Sequence, residues 1–290
     1  MLEVAIKKYT LSLLVLLLSL GLLCCITLGQ ENKTKSSDTK IPEGMVEIPS
    51  GTYKLFFRKK EEKPVAVKAF YLDIYAVTNL EFLKFVTENP AWQKTKVSKI
   101  FADQNYLSHW EGDLSIGVNF ENIKNSPVTN ISWFAANAYA KWKNKRLPTI
   151  LEWEYVASAD IVESDQKEKK ELTKVILDWY AKPNPKIMPS VGSTFKNTFG
   201  VYDTHGLIWE WVHDFNSFVS GSDSRSNSEV DRDLFCGGAG AIASANKEDY
   251  AAYMRYGFRG SLKGNYTVAN LGFRCGADIL DKTGGANNDK

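Results

Sequence analysis

Histidine and cysteine are scarce in this chain of 290 residues, which holds three of the first and four of the second. His109, His205 and His213 form neither a His-x-x-x-His pair nor a compact triad with carboxylates. That spacing argues against a histidine-held metal, and each ring reads as a surface or locally hydrogen-bonded group. A one-signed charge excess is also missing: the formal net charge is +2, and the short basic clusters are interleaved with acids. Nothing therefore suggests a nucleic-acid binder, and the charge runs read as solvated faces. No internal repeat is present. What is there is a 44% hydrophobic, 12% aromatic composition, that of a globular protein with a sizeable core.

One long apolar run, Leu11 to Leu28, follows Lys7 and Lys8. A basic region followed by an apolar one is an export signal, here long enough to border on a membrane span. Three outcomes compete. Thr27 and Gly29 suit cleavage before Gln30; Cys24 or Cys25 is an acylation candidate, although Leu23 fits a lipobox poorly; an uncleaved run is a single-pass anchor. All three export the domain, leaving it periplasmic or membrane-anchored. Residues 1–29 are read as signal peptide or anchor, 30–42 as a flexible tether, 43–280 as one domain and 281–290 as a disordered polar tail. Without residues 1–29, only Cys236 and Cys275 remain. Export favours a disulfide between them, while spacing alone leaves buried thiols and metal or redox chemistry open.

Along the domain, Met45–Tyr53 reads as a strand ending at Ser50-Gly51, and Val65–Ile74 as a second. Thr78 with Glu81 three residues on is a capping box, opening a helix that runs to about Glu88 and stops before Pro90. From Ala91 to Ile123 the chain reads as ordered loop anchored by Trp92, Tyr106, Trp110 and Phe120. Ser132–Trp142 has helical apolar spacing, and Pro148-Thr149 starts another helix. There Trp153 and Tyr155 are expected inward, Glu152 and Glu154 outward. Asp160–Tyr180 is helix-prone and Ser217–Asp233 reads as a surface loop. Asn130 and Asn265 open glycosylation-type triplets, a pattern short enough to arise by chance.

Val201–Asp214, VYDTHGLIWEWVHD, is the densest segment chemically. In an extended strand Trp209 and Trp211 share one face and Glu210 takes the other. With Asp203 a turn upstream, the carboxylates suggest a hard-cation site. The plainer alternative makes the tryptophans core and Glu210 a surface or ion-paired acid.

Read with GMVEIPSGTY (residues 44–53), FYLDIYAVTNLEFLKF (70–85), PVTNISWFAANAYAKWKNKRLPTILEWEY (127–155) and ANLGFRCGAD (269–278), this segment resembles the formylglycine-generating enzyme family of sulfatase-modifying factors. The resemblance implies an α+β fold: a single loop-rich domain, a variant of the C-type-lectin-like fold, with bound calcium. Members include copper-dependent oxidases that convert a sulfatase cysteine to formylglycine, and iron-dependent sulfoxide synthases. It places a structural calcium site on Asp203, Gly206, Ile208 and Glu210. The family's PWG-type loop is missing from 160–180, which puts a second calcium site in doubt. Arg255, Arg259 and Arg274 match family arginines, expected to pin loops to carboxylates or to bind an acidic partner.

The family's oxidases carry a cysteine pair after a glycine pair, suited to Cu(I). Here no cysteine follows Gly237-Gly238 until Cys275, which falls on the structural GFRC position. Copper is therefore not expected, and neither is the family's oxidase chemistry. The resulting expectation is an exported, membrane-tethered domain serving as a binding or maturation factor for another exported protein or peptide segment, a copper enzyme such as a nitrite reductase being one partner class that family resemblance suggests. The alternatives are an active formylglycine-generating oxidase with another ligand set, and different chemistry in the same cleft.

Overall fold

The computed structural model describes residues 41–54, 63–161, 172–216 and 247–279. The leader and most of the tether, the 217–233 loop, Cys236 with its following glycines, and the polar tail lie outside the described residues. Among those described, no helix is long and apolar enough to cross a membrane.

The N-terminal sequence forms one long hairpin in two pieces. Strands β1 (Met45–Ile48) and β2 (Gly51–Tyr53) replace the single strand expected over this stretch, and β3 (Val65–Val67) and β4 (Phe70–Asp73) replace the next. Both antiparallel pairs share one register, with Ile48 opposite Phe70 and Gly51 opposite Val67. The break falls at Pro49, which has no N–H to give a ladder. A last strand, β7 (Gly276–Asp278), pairs with the free edge of β4, so the order β1-β4-β7 ties the two ends of the domain together. All four residues of β4 are buried.

Helix α1 (Asn79–Glu88) begins at the expected capping box: Thr78 Oγ1 accepts from Glu81 N at 3.3 Å and Glu81 Oε2 accepts from Thr78 N at 2.8 Å. It ends at Asn89, and Pro90–Trp92 makes a short 3-10 turn. The loop that follows is irregular apart from α2 (Phe120–Ile123). Helix α3 (Trp133–Trp142) is capped by Ser132, and α4 (Ile150–Ala157) by a second box of Thr149 and Glu152. Then come α5 (Leu172–Tyr180), β5 (Trp209–Trp211), α6 (Lys247–Gly260) and β6 (Leu271–Phe273), which runs parallel to β5. Helices and short strands in one unit give the expected α+β class.

The main core joins α1, α3, α4, β5 and β6. Phe82 stacks on Tyr139 at 5.9 Å, and Tyr139 meets Phe273 edge-on at 5.3 Å. Such rings each remove about 150–250 Å² from water, which compensates for the small amount of regular sheet.

The fold also corrects the sequence reading at Glu154. Glu154 was expected to face solvent, by an in-out alternation from Trp153 to Tyr155, and it is fully buried. The segment is a helix, in which residues three and four apart share a face. Ile150, Trp153, Glu154 and Ala157 accordingly point inward together.

Candidate functional site

Two buried carboxylates, each gripped by arginine, organise the side of the domain carrying the candidate residues. Glu210 lies at the middle of β5 opposite Gly272. Its neighbours Trp209 and Trp211 alternate with it, but both faces of this strand are covered, and Glu210 is an ion-paired acid. Arg274 meets it fork to fork: Nη2 donates to Oε1 at 2.7 Å and Nε to Oε2 at 2.8 Å. Trp153 Nε1 adds a bond to Oε2 at 2.8 Å. The rest of the guanidinium is also used, with Nη1 donating to the carbonyls of Asp73 (3.2 Å) and Ile74 (3.3 Å) and Nη2 to that of Tyr202 (2.9 Å). Burial opposes the Arg274 charge, yet the Glu210 carboxylate, helped by Asp203 and Asp73, raises its pKa.

Asp203 sits in the left-handed region at φ +58°, which aspartate tolerates better than most residues. Its carboxylate accepts from the Thr194 amide at 3.0 Å, the Thr194 hydroxyl at 2.8 Å and the Gly192 amide. Gly206 turns the chain at φ +106°, and Ile208 packs in a small cluster with Ala76 and Leu207. Calcium needs six to eight oxygens with free lone pairs. As arranged here, the carboxylates of Asp203 and Glu210 are engaged by donors of the chain itself, and Arg274 supplies the positive charge beside them. The two carboxylates of the expected set, as they stand, do not fit a calcium ion.

Cys275, one residue beyond Arg274, is a free and fully buried thiol. Its expected partner, Cys236, lies outside the described residues. The Cys275 amide donates to Asp73 Oδ2 at 2.9 Å, and Lys145 pairs with Oδ1 at 2.5 Å. Burial first, then the neighbouring Asp73 charge, raise the thiol pKa well above its ordinary value. It stays protonated and is a poor ligand for a soft metal.

The second buried carboxylate is Glu154. Arg255 grips it from α6 through Nε (3.0 and 3.1 Å) and Nη2 (2.8 Å). One turn later Arg259 donates Nη1 to the same group at 2.6 Å, its guanidinium 4.6 Å from the Trp153 ring centroid. Tyr53 at the end of β2 adds a long contact of 3.4 Å. Burial would raise the Glu154 pKa, but the fields and hydrogen bonds of Arg255 and Arg259 overcome it and lower the value to about 2. The two arginines hold α6 against α4 through this carboxylate. The sequence reading missed their acceptor, and helical spacing from Ile150 was the signal that would have found it.

His205 lies beside this cluster, edge-on to Trp153 at 5.5 Å, with Nε2 donating to Ala157 O at 3.1 Å. Burial, then the Arg255 charge, lower its pKa to about 3. Among the described residues three buried side-chain atoms have no hydrogen-bond partner: Thr204 Oγ1, His205 Nδ1 and Arg255 Nη1.

The chain is similar to the formylglycine-generating enzyme of Thermomonospora curvata, 25% identical over 85% of this chain and 97% of that one. It is 27% identical to the inactive C-alpha-formylglycine-generating enzyme 2 of Bos taurus, over 58% of this chain and 69% of that one. Among solved structures, PvdO from Pseudomonas aeruginosa overlays with a TM-score of 0.45 at 17% identity, covering 81% of this chain and 94% of that one. The model of the sulfatase-modifying factor enzyme 1-like domain matches residues 30–279, and the chain belongs to that family.

Proposed function

We propose that this protein is an exported, membrane-tethered sulfatase-modifying-factor-like domain without copper-oxidase chemistry, acting as a binding or maturation factor for another exported protein. The observation that carries the reading is the fate of sulfur. No cysteine follows Gly237-Gly238 before Cys275, and Cys275 is a buried thiol rather than an accessible thiolate. Cu(I) held by two sulfurs needs a deprotonated, reachable pair. That a relative of similar sequence bears the name of an inactive enzyme supports the same direction. The apolar run after Lys7 and Lys8 supports export.

The test is an assay of the full chain with Cu(I), oxygen and a cysteine-containing sulfatase peptide. No aldehyde above the metal-only control is expected. Turnover that disappears in Cys236→Ser would overturn the reading in favour of an active oxidase, the activity for which the T. curvata relative is named.

A further inference from the structure

The Glu154 cluster is unbalanced. Two guanidiniums share one carboxylate, and all three groups are buried: Arg255 is 8% exposed, Arg259 4% and Glu154 0%. Among the described residues no other carboxylate forms an ion pair with either arginine. A buried charge without a counter-charge is strongly disfavoured. Arg255 supplies a second, independent observation. Its Nε and Nη2 are spent on Glu154, while Nη1 is buried with no acceptor in hydrogen-bonding geometry. The Tyr180 hydroxyl, which donates to Ala251 O at 3.3 Å, keeps an oxygen turned to the Arg255 side chain, but that oxygen is neutral and does not offset the excess charge. Arg259 uses one nitrogen, Nη1, on Glu154. Such a vacant guanidinium edge is shaped for an oxyanion, because parallel N–H groups match two oxygens on one centre.

We infer that Arg255 and Arg259 form a binding site for a single oxyanion, with a carboxylate as the best fit. One negative charge balances the cluster, and a planar carboxylate matches the N–H geometry of the Arg255 Nη1 edge. His205, neutral and with its Nδ1 lone pair free, can accept a hydrogen bond from a neighbouring donor but adds no charge. The inference concerns a ligand site and stands whether or not the domain is an accessory factor. The carboxylate can come from a small acid or from an acidic residue of a peptide, and the experiment separates these.

The experiment follows the Tm of the full chain in acetate, in acetyl-aspartate amide and in acetyl-asparagine amide, at constant ionic strength held with chloride. Saturable stabilisation is expected with acetate, amounting to about 5 °C at a hundredfold excess over Kd. A gain with both acids means a small-carboxylate site; a gain with the aspartate compound alone means a peptide site; the asparagine compound should do nothing. Arg259→Gln leaves one arginine on one carboxylate and should lose the gain. Should that variant not fold, isothermal calorimetry of acetate with the unaltered chain replaces it. The proposal is overturned if the unaltered chain gains nothing, if chloride or the asparagine compound does as well, or if Arg259→Gln keeps the full effect.

Discussion

Glu210 and Glu154 are both acids sealed in the interior and both gripped by arginine, yet they are built to opposite ends. Around Glu210 the count is one to one, and the Arg274 nitrogens all reach acceptors, including three backbone carbonyls from the β4 end and the turn before Asp203. Around Glu154 the count is two to one, and an Arg255 nitrogen is left over. The first is a closed lock that staples loops together in a domain with little sheet. The second also staples, α6 to α4, but retains positive charge and donor capacity. A buried ion pair says little by itself about stability or function. Its stoichiometry and its unused donors are more informative.

The largest effect should come from breaking the closed lock. Arg274→Met leaves Glu210 buried without its counter-charge and removes one donor from each of three carbonyls, so a loss of about 3–5 kcal/mol is expected in chemical denaturation. A loss under about 1 kcal/mol would show that Arg274 is not the staple.

Next in size is acid sensitivity. In the unfolded chain His109 and His205 protonate near pH 6.5, whereas in the fold burial keeps them neutral down to about 4 and about 3. Only the unfolded state binds these protons in that interval. Stability should therefore be fully present above pH 6.5 and fall as pH drops towards 4, by about 1.4 kcal/mol per pH unit for each ring. Denaturation midpoints from pH 7.5 to 4.5 check this. Because the Arg255 and Arg259 charges add to burial in keeping His205 neutral, Arg259→Gln should raise its pKa, an effect readable by NMR of the ring. A ring pKa unchanged in that variant would remove His205 from the open cluster.

Smaller again is the cost of Arg259→Gln at neutral pH. Arg255 still holds Glu154, and the excess charge is gone, so the change should stay within about 1–2 kcal/mol despite deep burial. A loss as large as that of Arg274→Met would erase the distinction between the two clusters. The smallest effect is that of calcium. With the Asp203 and Glu210 oxygens engaged by the chain, Tm in excess calcium and in chelator should agree within about a degree. A large calcium gain would mean that Arg274 and the Thr194 segment rearrange to admit the ion.

Much of the frame was legible in the residues. Thr78 and Glu81 announced α1, and the 3.6-residue spacing after Ser132 announced α3. What escaped was three-dimensional. A single strand was read across Pro49 because apolar pattern says nothing about a missing N–H. Glu154 was turned outward because a two-residue alternation was applied to a helix. The partner of Glu154 lies 101 residues away in sequence, a distance no local pattern spans.

A crystal structure of the full chain grown in acetate puts the difference between the clusters to direct test. The account predicts acetate density with an oxygen within hydrogen-bonding distance of Arg255 Nη1, and none at Arg274. A bare Arg255 edge at saturating acetate, or a carboxylate of the chain itself seated there, would contradict it.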